Sequence, residues 1–261
     1  MSYCFILASS DDRIDILQKC VECIQKSKYA SSDVYLYYQG TKIDGFVYHD
    51  FFKGIVTSDH LRGVFTPRYV LMKEFGINYD YVIIIDDDLF MYPDTDYDSA
   101  MRFLAFMPSA GCCTILTHRG RRRNEMVNVS DSMGYYNVEG GLVFPQRSIK
   151  VILDYFKDKE MDYTEDMWWL LLYIKGFDLW RDYSSSAIHT FNYKNKGKMT
   201  GFSKMRTEKP HLPILSEWFD SKLSYEERYG QTLYKIKELK DINKNGRRER
   251  MKNYGKTEIC D

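Results

Sequence analysis

The chain has 261 residues, with 37 Lys and Arg against 37 Asp and Glu, so no net charge draws it as a whole toward nucleic acid or a membrane surface. That length suits one α/β domain with a full core. The opening apolar run Cys4-Phe5-Ile6-Leu7-Ala8 is too short to span a membrane and has no basic leader, so a cytoplasmic protein is expected. Cys20 and Cys23 stand at Cys-x-x-Cys spacing. No second pair accompanies them and both fall in an amphipathic pattern, so they read as buried, reduced thiols rather than a metal or redox site.

Tyr3 to Ala8 reads as a buried strand, Ser9 to Asp12 as a loop rich in capping residues, and Ile14, Leu17, Val21 and Ile24 as the apolar face of a helix. Val34 to Tyr38 and Phe46 to Phe52 are the next strand candidates. Thr66-Pro67 has the form of a helix cap followed by proline, with Val70, Leu71 and Phe75 on the inner face. Tyr81-Val82-Ile83-Ile84-Ile85 does not alternate, as expected of a central parallel strand covered on both faces. A helix follows over 98–107, a strand over 111–116 and a strand over 137–144 containing Gly140-Gly141. Ser148 and Thr164 are read as caps of two further helices. Strands and helices alternate, so a mostly parallel sheet flanked by helices is expected. Ser224-x-x-Glu227 has capping-box form and opens a polar helix before a basic tail. The expected division is a catalytic domain over 1–213 and a helical, basic extension over 214–261 packed on it.

The strand at 81–85 ends in Asp86-Asp87-Asp88. Ligands of open α/β sheets bind beyond the carboxyl ends of the strands, which places this run at the mouth of a site. Adjacent carboxylates repel and are costly beside an apolar strand unless a cation or strong donors compensate them. On an extended segment, Asp86 and Asp88 would point the same way and Asp87 elsewhere. Hard oxygen ligands suit magnesium or manganese. A helix cap or polar turn is the plainer explanation of a single Asp, and three in a row favour the metal.

The segment Val82 to Asp88 resembles the strand and Asp-x-Asp motif of nucleotide-sugar glycosyltransferases with the GT-A fold. Further matches follow in order: Glu139-Gly140-Gly141 resembles the acceptor-side strand, Thr164-Glu165-Asp166 the Glu-Asp motif, and His189 with Lys196-Gly197-Lys198 and Gly201 the late histidine and basic loop. Together they cover roughly residues 3 to 202. The resemblance implies a GT-A-like (Rossmann-like) α/β fold with a C-terminal helical extension, and transfer of a hexose or pentose from a donor expected to be UDP-linked. It places Mn2+ or Mg2+ on Asp88 and His189, with Asp86 binding the metal or the donor ribose and Asp87 auxiliary at the donor. Arg68, the first-strand loop with Ser9 and Arg13, and Lys196 and Lys198 would hold the nucleotide and its diphosphate. Asp166 would be the general base of an inverting displacement, with Glu165 as its alternate. Gly140 and Gly141 would admit the acceptor.

Arg121, Arg122 and Arg123 form a basic run beside these segments, and Arg247, Arg248 and Arg250 another in the tail. Such runs grip phosphates, so duplex DNA with a hydroxymethylated base is one expected acceptor, as for phage-encoded transferases resembling this fold, which would work in the host cytoplasm. Tyr135 and Tyr136 are candidates to hold an extruded base. The alternatives are a cell-surface saccharide or lipid-linked acceptor and, in another class, a nucleotidyltransferase. The last usually has a glycine-rich loop after its first strand, which Ala8 to Asp12 lacks.

Overall fold

The computed structural model describes residues 1–116, 124–130, 141–158 and 168–189, together with Lys244. The expected boundary at 213/214, the helix after Ser224 and the basic tail lie outside the described residues.

The chain opens with β1 (Tyr3–Ser10), a short 3₁₀ turn over Asp11–Arg13 and α1 (Ile14–Gln25), followed by β2 (Asp33–Gln39) and β3 (Gly54–Ser58). Next come α2 (Phe65–Glu74), β4 (Tyr81–Ile84), β5 (Leu89–Met91), α3 (Asp98–Phe106) and β6 (Ala110–Leu116). The last elements are β7 (Met126–Asn128), β8 (Leu142–Pro145), α4 (Gln146–Phe156), α5 (Trp168–Ile174) and β9 (Asp178–His189). The strands form one sheet in the order β3-β2-β1-β4-β8-β6-β9-β5, with β7 also beside β9. β1, β2, β3, β4, β6 and β9 run one way, and β5, β7 and β8 the other. The expected α/β fold with a mostly parallel sheet is the fold observed.

β4 shows why its sequence lacks alternation. Val82 and Ile84 enter the core layer that holds α2, α4 and α5, while Ile83 and Ile85 enter the opposite layer with α1 and α3. A strand buried on both faces has no polar side to write into its sequence. It is parallel to β1 but antiparallel to β8, so it marks the change from the parallel half of the sheet to the mixed half.

Three local expectations are corrected. Residues 46–52 are not a strand: 3₁₀ turns at Ile43–Gly45 and His49–Phe51 fold the segment so that Phe46 meets Tyr48 and Phe52, and Phe51 meets Phe52. The β2 edge is covered instead by Gly54–Ser58. Thr66 is not a cap, because α2 begins at Phe65 with Val64 preceding it, and Pro67 sits in the first turn where an N–H has no helical partner to lose. Ser148 is likewise inside α4, whose preceding residue is the extended Pro145; its hydroxyl donates to the Gly111 carbonyl at 2.6 Å, tying helix to sheet.

Candidate active site

The chain leaves β1 toward β2 on one side and returns as β4 on the other, with α1 packed on one face of the sheet and α2 on the opposite face. Neighbouring strands whose connections diverge in this way open a crevice at their carboxyl ends. The register pairs Ile6 with Ile84, so three residues further on Ser9 lies level with Asp87. The Ser9 hydroxyl donates to Asp87 at 2.6 Å, and this bond ties the end of β1 to the run that follows β4.

Asp86-Asp87-Asp88 is not extended, contrary to expectation. The Leu89 N–H bonds the Asp86 carbonyl at 3.0 Å, so the run is a tight turn that reverses β4 into β5. The turn separates the three carboxylates. The Asp87 side chain is 4 % exposed, against 15 % for Asp88 and 37 % for Asp86. Asp87 is withdrawn onto Ser9 and Arg13, whose Nε donates to both its oxygens at 2.9 and 2.8 Å and whose Nη2 also bonds it. The same Nη2 lies 2.9 Å from Asp88. Asp86 pairs with Arg68, a buried arginine of α2. Two arginines therefore perform part of the charge compensation that the sequence assigned to a cation, because a buried guanidinium and a buried carboxylate each need the other.

The electrostatics follow from that packing. Burial drives the Asp87 carboxyl upward, and the Arg13 guanidinium and Ser9 hydroxyl pull it back only in part. Burial acts to lower Arg13, but the charges of Asp87 and then Asp88 more than reverse this and hold it protonated.

Three supports surround the turn; of these, Cys20 was read from the sequence only as a buried thiol, and Asp11 and Gln39 were given no role. Cys20 of α1 lies beneath it, its thiol 3.5 Å from the Leu89 carbonyl and 3.8 Å from that of Asp86. Burial, and then Asp87, push this thiol up and keep it a donor, in accord with the reading of a buried thiol. Asp11 accepts from the Tyr38 hydroxyl at 2.8 Å and from the amides of Thr41 and Lys42 at 3.1 and 3.0 Å, which fastens the β1 loop to the end of β2. Gln39 is buried where β2 ends; its carboxamide donates to the Gly63 carbonyl at 3.0 Å and accepts the Arg62 N–H at 2.5 Å, shaping the loop that leads to Arg68. The available signal for Gln39 was a polar residue closing an apolar strand immediately before a glycine.

Gly141, expected on the acceptor side, is next to the acidic turn. Its φ is +92°, and a Cβ there would come within 2.6 Å of the Tyr97 hydroxyl and 3.3 Å of Ile85. Antiparallel pairing of β5 with β9 sets His189 opposite Leu89, one residue from Asp88. This pairing sets two of the three positions expected at the metal, Asp88 and His189, near each other along the backbone. Among the described residues, no group of three His, Cys, Asp or Glu side chains is arranged to hold a metal ion. The donor set still fits magnesium or manganese, which need only one or two carboxylates when a diphosphate supplies further oxygens. Gly140, Glu165, Asp166, Lys196, Lys198, Arg121, Arg122, Arg123, Tyr135 and Tyr136 lie outside the described residues. Among the described residues no helix is long and apolar enough to cross a membrane.

No protein-family model matches the sequence, and no curated protein matches it. Solved structures do match the fold. A mannosyltransferase from Pyrobaculum calidifontis in complex with GDP-Man and Mn2+ has a TM-score of 0.58 at 10 % identity, over 93 % of this chain and 73 % of its own. S. aureus TarS 1-349 in complex with UDP-GlcNAc has a TM-score of 0.56 at 13 % identity, over 87 % of this chain and 69 % of its own. GalNAc-T7 with UDP, GalNAc and Mn2+ has a TM-score of 0.56 at 9 % identity, over 94 % of this chain and 55 % of its own. The shared feature at these identities is the α/β, GT-A-like fold.

Proposed function

We propose that this chain is a metal-dependent glycosyltransferase that binds a nucleoside-diphosphate sugar at the crevice between β1 and β4. The observation that carries this reading is the acidic turn: Asp86 and Asp88 keep partial exposure, at 37 % and 15 %, while Asp87 is held back by Ser9 and Arg13. Its support is the position of the turn at the switch between neighbouring strands, in a fold shared with structures that hold UDP-GlcNAc, GDP-Man or UDP with GalNAc and, in two cases, Mn2+.

A bound Mn2+ or Mg2+ would supply a Lewis acid that offsets the charge gathering on the departing diphosphate. Asp86 and Asp88, with His189, are the residues that would hold it. Arg68 keeps Asp86 in place from α2, and Ser9 with Arg13 keeps the turn closed. Lys196 and Lys198 would add positive charge over the diphosphate and exclude water. Asp166 would take the proton from the acceptor hydroxyl, with inversion at the sugar carbon. For the acceptor we propose a hydroxymethylated base in DNA, on the strength of Arg121, Arg122 and Arg123 in the sequence. A surface saccharide or lipid-linked hydroxyl is the competing outcome.

The test is a panel of UDP- and GDP-sugars assayed for hydrolysis with Mn2+ and with EDTA, followed by transfer to modified DNA and to saccharides. Metal-dependent release of nucleoside diphosphate is expected, and Asp88→Asn should reduce it by on the order of 100-fold. Release of pyrophosphate from a nucleoside triphosphate, with every sugar nucleotide left intact, would instead mark nucleotidyl transfer. Asp166→Asn should abolish transfer; near-normal transfer would remove that residue from the role of base.

A further inference from the structure

Arg13 touches two carboxylates in different ways. To Asp87 it is bound through Nε and Nη2 together, inside a pocket completed by the Ser9 hydroxyl. To Asp88 it offers one edge of Nη2, at 2.9 Å, and Asp88 is the more exposed of the two carboxylates. The first contact is a two-point buried pair, costly to break. The second is a single contact at the rim, which a stronger cation can displace.

We propose that Arg13 is an internal countercation that competes with the divalent metal for Asp88 and thereby couples metal binding to nucleotide binding. This rests on the metal-dependent reading of the site given above. With no ligand present, Nη2 neutralises part of the charge that would attract a metal, so the metal alone binds weakly. When a metal takes Asp88, Arg13 stays anchored on Asp87, and its released N–H faces the crevice with no carboxylate to satisfy it. An anionic diphosphate arriving with the metal supplies the oxygen that this donor then lacks. Each ligand thereby removes part of the other's cost, and the coupling is reciprocal. Asp87 contributes by holding the guanidinium in position rather than by binding a ligand, which accounts for a third aspartate that turns away from the mouth.

The experiment measures Mn2+ binding by electron paramagnetic resonance, with and without UDP or GDP, in the full chain. Wild type should bind Mn2+ weakly alone and on the order of tenfold more tightly with the matching nucleotide. Arg13→Gln should tighten binding of Mn2+ alone by a similar factor and shrink the nucleotide effect. Because losing Arg13 strands Asp87 in a buried pocket, that variant can unfold, so the double variant Arg13→Gln/Asp87→Asn is measured beside it. The double change removes one positive and one negative charge together, leaves the net charge as it was, and keeps neutral hydrogen-bonding groups in both places. It too should bind Mn2+ alone more tightly than wild type. Unchanged or weaker Mn2+ binding in the folded double variant overturns the role of Arg13 while leaving metal dependence standing. Absence of Mn2+ binding to wild type even with nucleotide overturns both.

Discussion

Asp11 shows how a single side chain at the rim of the crevice sets the shape of the first loop. Partial burial works to raise its carboxyl, but the amides of Lys42 and Thr41 and the Tyr38 hydroxyl prevail and hold it below the usual range. A carboxylate depressed in the folded state contributes stability above its unfolded value of about 3.9, and that contribution is lost as pH falls through the folded value. Asp11→Asn should therefore lower the melting temperature at neutral pH by a few degrees, with the gap to wild type closing below about pH 4. A gap that does not narrow at all as pH falls below about 4 would show that shape rather than charge is at work. The acidic run is legible in the sequence because three carboxylates after an apolar strand are conspicuous. Its partners are not, since Ser9 and Arg13 precede Asp87 by 78 and 74 positions. No local pattern specifies which arginine meets which aspartate.

At the scale of elements, the end of β8 is where sheet geometry constrains the site most closely. Gly141 leads into β8 with a positive φ, its carbonyl accepts the Thr114 hydroxyl at 2.9 Å, and Tyr97 fills the space a side chain would need. Gly141→Ala is expected to cost about 1–3 kcal/mol in urea unfolding, from backbone strain and the clash together. Tyr97→Phe in the same chain removes the atom at 2.6 Å and should recover part of that loss, while the remainder reports the φ of +92°. Equal stability of Gly141→Ala and wild type would show that the strand end can shift. Helix α2 teaches a different lesson: Phe65, Thr66, Pro67, Arg68, Tyr69, Leu71 and Met72 are all buried, so the helix has no polar face and its start could not be placed from capping signals. The segment 46–52 failed for a related reason. Its aromatic residues satisfy one another across a pair of turns, and an apolar run of that length does not distinguish turn from strand.

For the molecule as a whole, ligand binding to the folded state alone adds to its stability. A matching nucleoside diphosphate at about 100 times the Kd it has with Mn2+ present should raise unfolding stability by roughly 2.7 kcal/mol over the Mn2+-loaded protein, and EDTA should remove most of the gain. Comparing UDP with GDP by thermal shift then identifies the base, and a shift of equal size with EDTA present would count against the metal. The α/β class, the strand leading into the acidic run, the buried thiol at Cys20 and the position of that run at a strand end were determined by the sequence alone, because apolar continuity and clustered charge are local properties of a chain. The tertiary structure decided the rest. It folded Asp86-Asp87-Asp88 into a turn rather than an extended segment, because β5 has to reverse and pair with β9. It also withdrew Asp87 from the mouth and gave Asp86 and Asp88 arginine partners. A buried charge takes whichever counter-charge the sheet brings within reach, and that choice is made by register and packing between residues far apart in the chain.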